Sequence, residues 1–285
     1  MDVQERAVSF ACEGRTLMGV LSGASGAAKR GVLVVVGGPQ YRVGSHRQFT
    51  LLARHLAGHG IPTLRFDYGG MGDSEGDPRS FESVHSDIRC AIDEFFASLP
   101  SLQEVILWAL CDAASAALFY AHQDARVSGL VLLNPWVRTE QGAARAHLRH
   151  YYLRRLLQAG LWEKVARGEF GFRSAAKSLA RSIARALGYG RPPSDGGPSS
   201  ERVPLPDRMA DGLHRFRGRV LLILSGNDLT AQEFKDAVAS SPRWRDLLAA
   251  PRVTRHELPG ANHTFARRDW RDQVALWTET WVQSL

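Results

Sequence analysis

Three side chains from distant stretches have the types that acyl transfer requires: the sulfur of Cys111, the imidazole of His263 and the carboxylate of Asp228. Cys111 stands in VILWALCDAASAA, where an apolar run that reads as a strand meets small residues that read as a helix. A side chain at such a turn is held out on strained backbone, and small flanking residues let strand and helix approach, as in the nucleophile elbow G-x-S-x-G. Here the five residues are Ala109, Leu110, Cys111, Asp112 and Ala113, so alanine replaces both glycines and cysteine the serine. Alanine is still small enough for the packing role. A thiolate is a better nucleophile than an alcohol, and the helix N-terminus directly after it favours negative charge. Against this stands the reading of a buried structural cysteine, a place free cysteines often take. Asp228 follows VLLILSGN and His263 follows RVTRHELPGAN, each just past the end of a strand-like run. His263 would take the thiol proton or hold the thiolate as an ion pair, then protonate the leaving group, while Asp228 fixes its tautomer. Asp73, Asp112 and Asp124 are alternative acids, less well placed by chain order.

Acyl transfer also needs donors aimed at the oxygen on which charge develops. The turn in VVVGGPQYRVG offers backbone amides at Gly38 and Gln40, Pro39 having none, with Gly38 preferred; the amide of Asp112, next after the cysteine, is the expected second donor. The Asp112 carboxylate adds a negative charge beside the sulfur and opposes the thiolate. Facing an arginine or a substrate group, it would instead become a specificity element. RFDYGGMGDSEG carries three glycines, Gly69, Gly70 and Gly72, where the chain must turn tightly after a strand. It contains neither GxGxxG nor GxxxxGK[ST], so it does not read as a phosphate loop.

The elements that must position these groups alternate. RGVLVVVGG, RQFTLLARHLAGHG, PTLRFDYGG, a helix from Ser80 to Leu99, EVILWAL, DAASAALFYAHQ and VSGLVLLNP follow the rhythm of βαβ units. After an interruption come GRVLLILSGND, a helix from Ala231 to about Ala249, RVTRHELPG and a closing helix from Thr264 to Ser284. Runs such as VLVVV and GLVLL are apolar throughout, as strands covered on both faces are. A leading antiparallel hairpin is expected near Ala7 to Glu13 and Thr16 to Leu21. The fold class is therefore α/β, with a mostly parallel, doubly wound sheet of about eight strands. Residues 1–136 and 218–285 form the core, and 137–217 a basic helical insertion. Binding sites of open parallel sheets lie beyond the carboxyl ends of the strands, so an insertion after one of those ends is placed as a lid.

Composition narrows the setting. A 285-residue chain with 44% hydrophobic residues can bury one large core. No run of some eighteen apolar residues offers a spanning helix, and the acidic N-terminal stretch lacks the pattern of a secretory signal. Cys12, Cys90 and Cys111 form no close pair in sequence and no CxxC, so neither a disulfide framework nor a zinc site is expected, and a reducing, cytoplasmic setting fits. The net charge of +7 is localised: residues 138–217 hold 16 Lys/Arg against 7 Asp/Glu, leaving −2 for the remainder. Within HLRHYYLRRLLQAGLWEKV, Leu153, Leu157, Leu161 and Val165 recur every fourth residue and leave Arg149, Arg154 and Arg155 off that stripe. Most such faces pack on the body; otherwise the arginines would hold an acidic substrate or attract anionic lipid. Nucleic acid is not expected, since the charge has no interleaved aromatics and no reading motif.

Together these residues resemble the α/β-hydrolase superfamily, FDYGGMGDSEG matching its D-x-x-G-x-G-x-S signature after the fourth strand. More narrowly, VVVGGPQYRVGSHRQF, LWALCDAASAA and SGNDLTAQEF look like the exosortase A system-associated hydrolases of type one, which accompany exopolysaccharide and protein-sorting gene clusters. The resemblance implies a Cys-Asp-His triad on Cys111, Asp228 and His263 and hydrolase activity, and it does not supply a substrate; no metal or cofactor is expected. A small ester or thioester substrate is expected, and lid arginines turned inward would select an acidic one, such as an acylated or uronic saccharide or a phosphopantetheine thioester. An acyltransferase of the same fold is the alternative, as is a catalytically weak scaffold that binds a partner or membrane through the basic lid.

Overall fold

The computed structural model describes residues 3–23, 28–38, 40–137 and 203–285. β1 (Glu5–Cys12) and β2 (Arg15–Ser22) form the leading hairpin, in register from Glu5 opposite Ser22 to Cys12 opposite Arg15. Six further strands follow: β3 (Arg30–Val35), β4 (Thr63–Asp67), β5 (Glu104–Leu110), β6 (Val127–Leu133), β7 (Arg219–Ser225) and β8 (Val253–Leu258). All eight join one sheet in the order β1-β2-β4-β3-β5-β6-β7-β8. β2 is antiparallel to both its neighbours, and every pair from β4 to β8 is parallel.

The burial patterns explain which strands sit inside. β5 buries six residues in a row from Val105 to Leu110, and β3, β6 and β7 are likewise almost wholly covered. Of the edge strands, β1 alternates between buried and exposed positions toward its end and β8 between half-buried and exposed ones, as strands with one wet face do. Fully burying one such aliphatic side chain is worth about 1.5–3 kcal/mol, so β5 is a stiff base for whatever stands at its end.

The helices are α1 (Gln48–Gly58), α2 (His85–Ser98), α3 (Asp112–Tyr120), α4 (Leu205–Arg215), α5 (Leu229–Ser240), α6 (Pro242–Ala249) and α7 (Arg268–Gln283). α1 contacts α7, where His55 Nε2 meets Glu279 Oε2 at 2.6 Å, and α2 contacts α3. Two helices stand where one was expected between 231 and 249. Proline restricts the residue before it to extended backbone, and Ser241, before Pro242, is extended and caps α6 by accepting from the Trp244 amide at 3.4 Å.

The expectation of unpaired cysteines is corrected on a second count. Cys12 at the end of β1 and Cys90 in α2 are joined by a disulfide, with Cα atoms 5.8 Å apart across 78 residues of sequence. The pairing is tertiary: α2 packs against β1, a neighbourhood that sequence spacing does not display.

The chain divides into two compact units, Met1–Val137 with Pro206–Leu285, and Arg138–Leu205. The basic helices expected as a lid, with Arg149, Arg154 and Arg155, lie outside the described residues. The last part of that expected insertion is α4, whose Met209, Ala210 and Leu213 are buried and whose Pro206 carbonyl accepts from Trp244 Nε1 at 3.1 Å. Among the described residues no helix is long and apolar enough to cross a membrane.

Candidate active site

Because β5, β7 and β8 run parallel, the turns after their carboxyl ends share one rim of the sheet, and Cys111, Asp228 and His263 stand on those turns. Cys111 is the only free cysteine among the described residues and is half-buried. Its backbone has φ 65° and ψ −126°, a conformation rare for any residue with a Cβ. Such strain costs about 1–3 kcal/mol and persists only where the surroundings over-determine it. They do so here. The Cys111 amide donates to Leu133 O at 2.9 Å, and the Cys111 carbonyl accepts from Trp136 N at 3.1 Å and Ala114 N at 3.0 Å. Ala109 and Ala113 are both buried, so a methyl group fits where the elbow pattern has glycine.

Asp228 ends the β7 turn as the N-cap of α5, its carboxylate accepting from Thr230 N at 3.3 Å and Ala231 N at 3.0 Å. The same Oδ2 meets His263 Nδ1 at 2.9 Å. A capping residue is held in one rotamer by its helix, so the carboxylate reaches the imidazole already oriented. With Nδ1 engaged, Nε2 is the ring nitrogen left free to serve Cys111. Burial pulls the imidazole pKa down, but the bonds and charges of Asp228 and Cys111 outweigh it and raise His263 to about 10. Burial pushes the Asp228 carboxyl up; the bonds from His263, Ala231 and Thr230 more than reverse this and hold it below the usual carboxylate range.

The two loops carrying this pair are stitched together. Gly226 N donates to Leu258 O at 2.8 Å and Asn227 N to Ala261 O at 2.9 Å. A Cβ on Gly226 would lie 2.0 Å from Pro259 O, so glycine is what permits the approach. Of the other acids weighed from sequence, Asp73 is taken by Arg42, and Asp124 by Arg126 and Tyr120.

The expected oxyanion donors have specific neighbours. Gly38 N donates to Asp112 Oδ2 at 3.0 Å and Ala113 N to Asp112 Oδ1 at 3.0 Å. Gln40 turns its side chain toward the start of α1, Oε1 accepting from Ser45 N at 3.2 Å. The glycine-rich string after β4 fastens this loop. Asp67, fully buried, accepts from Arg42 N at 2.6 Å and Asp73 N at 3.2 Å and pairs with the Arg42 guanidinium.

Sequence reasoning missed Asn134. It follows β6 with φ 43°, is fully buried, and donates from Nδ2 to Ser225 Oγ at 2.7 Å and to the His263 carbonyl at 3.0 Å, while its Oδ1 accepts from Ser225 N at 2.8 Å. Ser225 Oγ donates in turn to Asn262 O at 2.9 Å. A polar residue closing a run as apolar as VSGLVLL was the available signal.

Comparisons with known proteins agree with this architecture. An esterase from Pyrococcus furiosus superposes with a TM-score of 0.63 at 13% identity, covering 98% of this chain and 92% of that one. An alpha/beta hydrolase from Penicillium sp. sh18 superposes with a TM-score of 0.61 at 16% identity, covering 99% and 98%. At such identities these likenesses concern the fold. A polyketide transferase from Penicillium crustosum is 29% identical over 130 residues, 44% of this chain and 42% of that protein, so the chain spans less than half of that relative's length. The family model described as the alpha/beta hydrolase family matches residues 32–275, most of the chain, and this protein belongs to that family.

Proposed function

We propose that the protein is a hydrolase of ester or thioester bonds that works through an acyl-cysteine intermediate, with Cys111 as nucleophile, His263 as proton carrier and Asp228 as the group that orients it. The observation that carries this reading is the strained Cys111 at the β5–α3 turn, on the same rim of the sheet as the hydrogen-bonded His263–Asp228 pair. An imidazole raised to about 10 is protonated at neutral pH, and the sulfur reacts as its thiolate. The thiolate attacks the carbonyl carbon, and the electron pair of the C=O bond moves to oxygen. Collapse of this adduct breaks the bond to the alkoxide or thiolate leaving group, which takes the proton from His263. Neutral His263 then removes a proton from water as that water attacks the acyl-cysteine, and loss of the carboxylic acid restores the thiolate.

Acyl transfer to another acceptor differs only in replacing that water. It is favoured by one observation, the partial similarity to a polyketide transferase. A link to exopolysaccharide or envelope metabolism rests on the sequence resemblance alone. With Cys12 and Cys90 joined, cysteine usage no longer argues for a reducing compartment, and the cytoplasmic setting is not carried forward.

The test is trapping. Protein exposed to p-nitrophenyl acetate and to a short acyl thioester, then quenched in acid and digested, should carry the acyl group on the Cys111 peptide. The nitrophenol burst should vanish in Cys111→Ala. An adduct on another residue, or full turnover by the alanine variant, overturns the reading.

A further inference from the structure

An amide expected to stabilise the oxyanion, that of Gly38, already donates to a carboxylate supplied by the chain itself. We propose that the Asp112 carboxylate is the resting occupant of the oxyanion hole, and that it must swing aside before a substrate carbonyl can enter. The inference rests on the acyl-cysteine reading and adds a residue that governs which substrates gain access.

Two main-chain N–H groups converge on this one carboxylate, Gly38 at 3.0 Å and Ala113 at 3.0 Å. Gly38 is one of the two donors that an acyl-transfer site at Cys111 calls for. An acid in the first turn of a helix ordinarily answers to that helix's own amides. The Gly38 bond is different, because it comes from the loop after β3, 74 residues earlier in the chain. The seat is also shaped for the carboxylate, since a Cβ on Gly37 would lie 2.2 Å from Asp112 Oδ1. Among the described residues no arginine or lysine pairs with Asp112; the positive charge it senses is that of His263. Burial raises its carboxyl above the ordinary value, with the amides and His263 acting against that rise. The occupant is therefore held by two main-chain hydrogen bonds and the nearby charge of His263 in a partly desolvated place, and a tetrahedral oxyanion would compete for the Gly38 donor.

Such an arrangement penalises small esters, which bring little binding of their own to displace the carboxylate. It favours substrates anchored elsewhere. Asp112→Ala should therefore raise kcat/KM for p-nitrophenyl acetate, within the range of about 10²–10³ that one oxyanion donor commands. Removing a charge beside the sulfur also alters the thiol itself. Alkylation of Cys111 by iodoacetamide, a displacement at carbon that forms no oxyanion, reports that change separately.

The measured quantity is the ratio of ester kcat/KM to the iodoacetamide rate constant, in the wild type, Asp112→Ala and Asp112→Asn. We expect the ratio to rise about tenfold or more in the alanine variant. The near-isosteric asparagine, which keeps one acceptor without the charge, should give a smaller rise, and it decides the matter if the alanine variant does not fold. Acylation in the wild type with an unchanged or lower ratio in the variants overturns this proposal and leaves the acyl-cysteine reading standing. Cys111 that alkylates but is acylated in none of the three proteins overturns both.

Discussion

Asn134→Ala tests whether the His263 loop is held by the network found at the end of β6. The substitution strands the buried Ser225 N–H and the part-buried His263 carbonyl, and takes a partner from Ser225 Oγ. An unsatisfied buried donor or acceptor costs about 1–3 kcal/mol. Alanine also adopts a left-handed φ, here 43°, less readily than asparagine, at a further ~1 kcal/mol. At about 1.5 kcal/mol for each of the two groups plus the ~1 kcal/mol of backbone cost, the loss is about 4 kcal/mol, a large part of the roughly 5–15 kcal/mol that stabilises a typical domain. Asn134→Gly relieves the backbone term alone and should be about 1 kcal/mol less destabilised. Urea unfolding of the three proteins measures these differences. With the imidazole no longer tied through its own carbonyl, kcat for p-nitrophenyl acetate should fall about tenfold or more with little change in KM, since small displacements of a catalytic group are costly. A stability loss under about 1 kcal/mol, or an alanine variant with wild-type kcat, refutes the argument that Asn134 positions His263.

Two further outcomes follow from the same coordinates. The Cys12–Cys90 bond closes a loop of 78 residues, for which the chain-entropy relation gives about 4.5 kcal/mol at 25 °C; Cys90→Ser should lower the urea midpoint accordingly, and thiol titration of unreduced, denatured wild type should count one free cysteine, three counting against the bond. His263, raised from 6.5 to about 10 on folding, contributes stability that is fully present below pH 6.5 and is lost as pH climbs toward 10; urea unfolding across that window should show a decline that is absent in His263→Gln, and parallel profiles would refute it.

Much of the fold was legible because the central strands are covered on both faces. VLVVV, EVILWAL, GLVLL and VLLILS have no other economical reading, and each became a strand of the one sheet. The positions of Cys111 and Asp228 followed from EVILWAL and VLLILS, and that of His263 from RVTRHEL, since each residue stands in the turn after its strand. What could not be read were features made by approach through space. The Cys12–Cys90 pair depends on α2 lying against β1, Asn134 on the β6, β7 and β8 turns meeting, and the Asp112 carboxylate on the loop of Gly38 coming down over α3. Local pattern carries periodicity and turn chemistry; it does not carry which loop tips touch. The break at Ser241 is the exception, because Ser-Pro is a local stop signal that outweighs an unbroken apolar period.

The elbow without glycines is the point at which sequence pattern and geometry must be reconciled. Glycine at both flanking positions would be needed if the strand and helix closed on those residues. Instead Ala109 and Ala113 bury their methyl groups, and the tightest approach lies across from them, at Gly37. There a Cβ would stand 2.8 Å from Ala113 N and 2.9 Å from Leu110 O. The requirement for a missing side chain has therefore moved from the turn itself to the strand end facing it. The strain at Cys111, about 1–3 kcal/mol, remains, and it is balanced by three main-chain hydrogen bonds worth roughly 1 kcal/mol each and by a fully buried β5 that cannot shift to relax it. A cysteine held in this way keeps its sulfur on the rim beside His263, which is why the altered pentapeptide still presents a side chain where an elbow would.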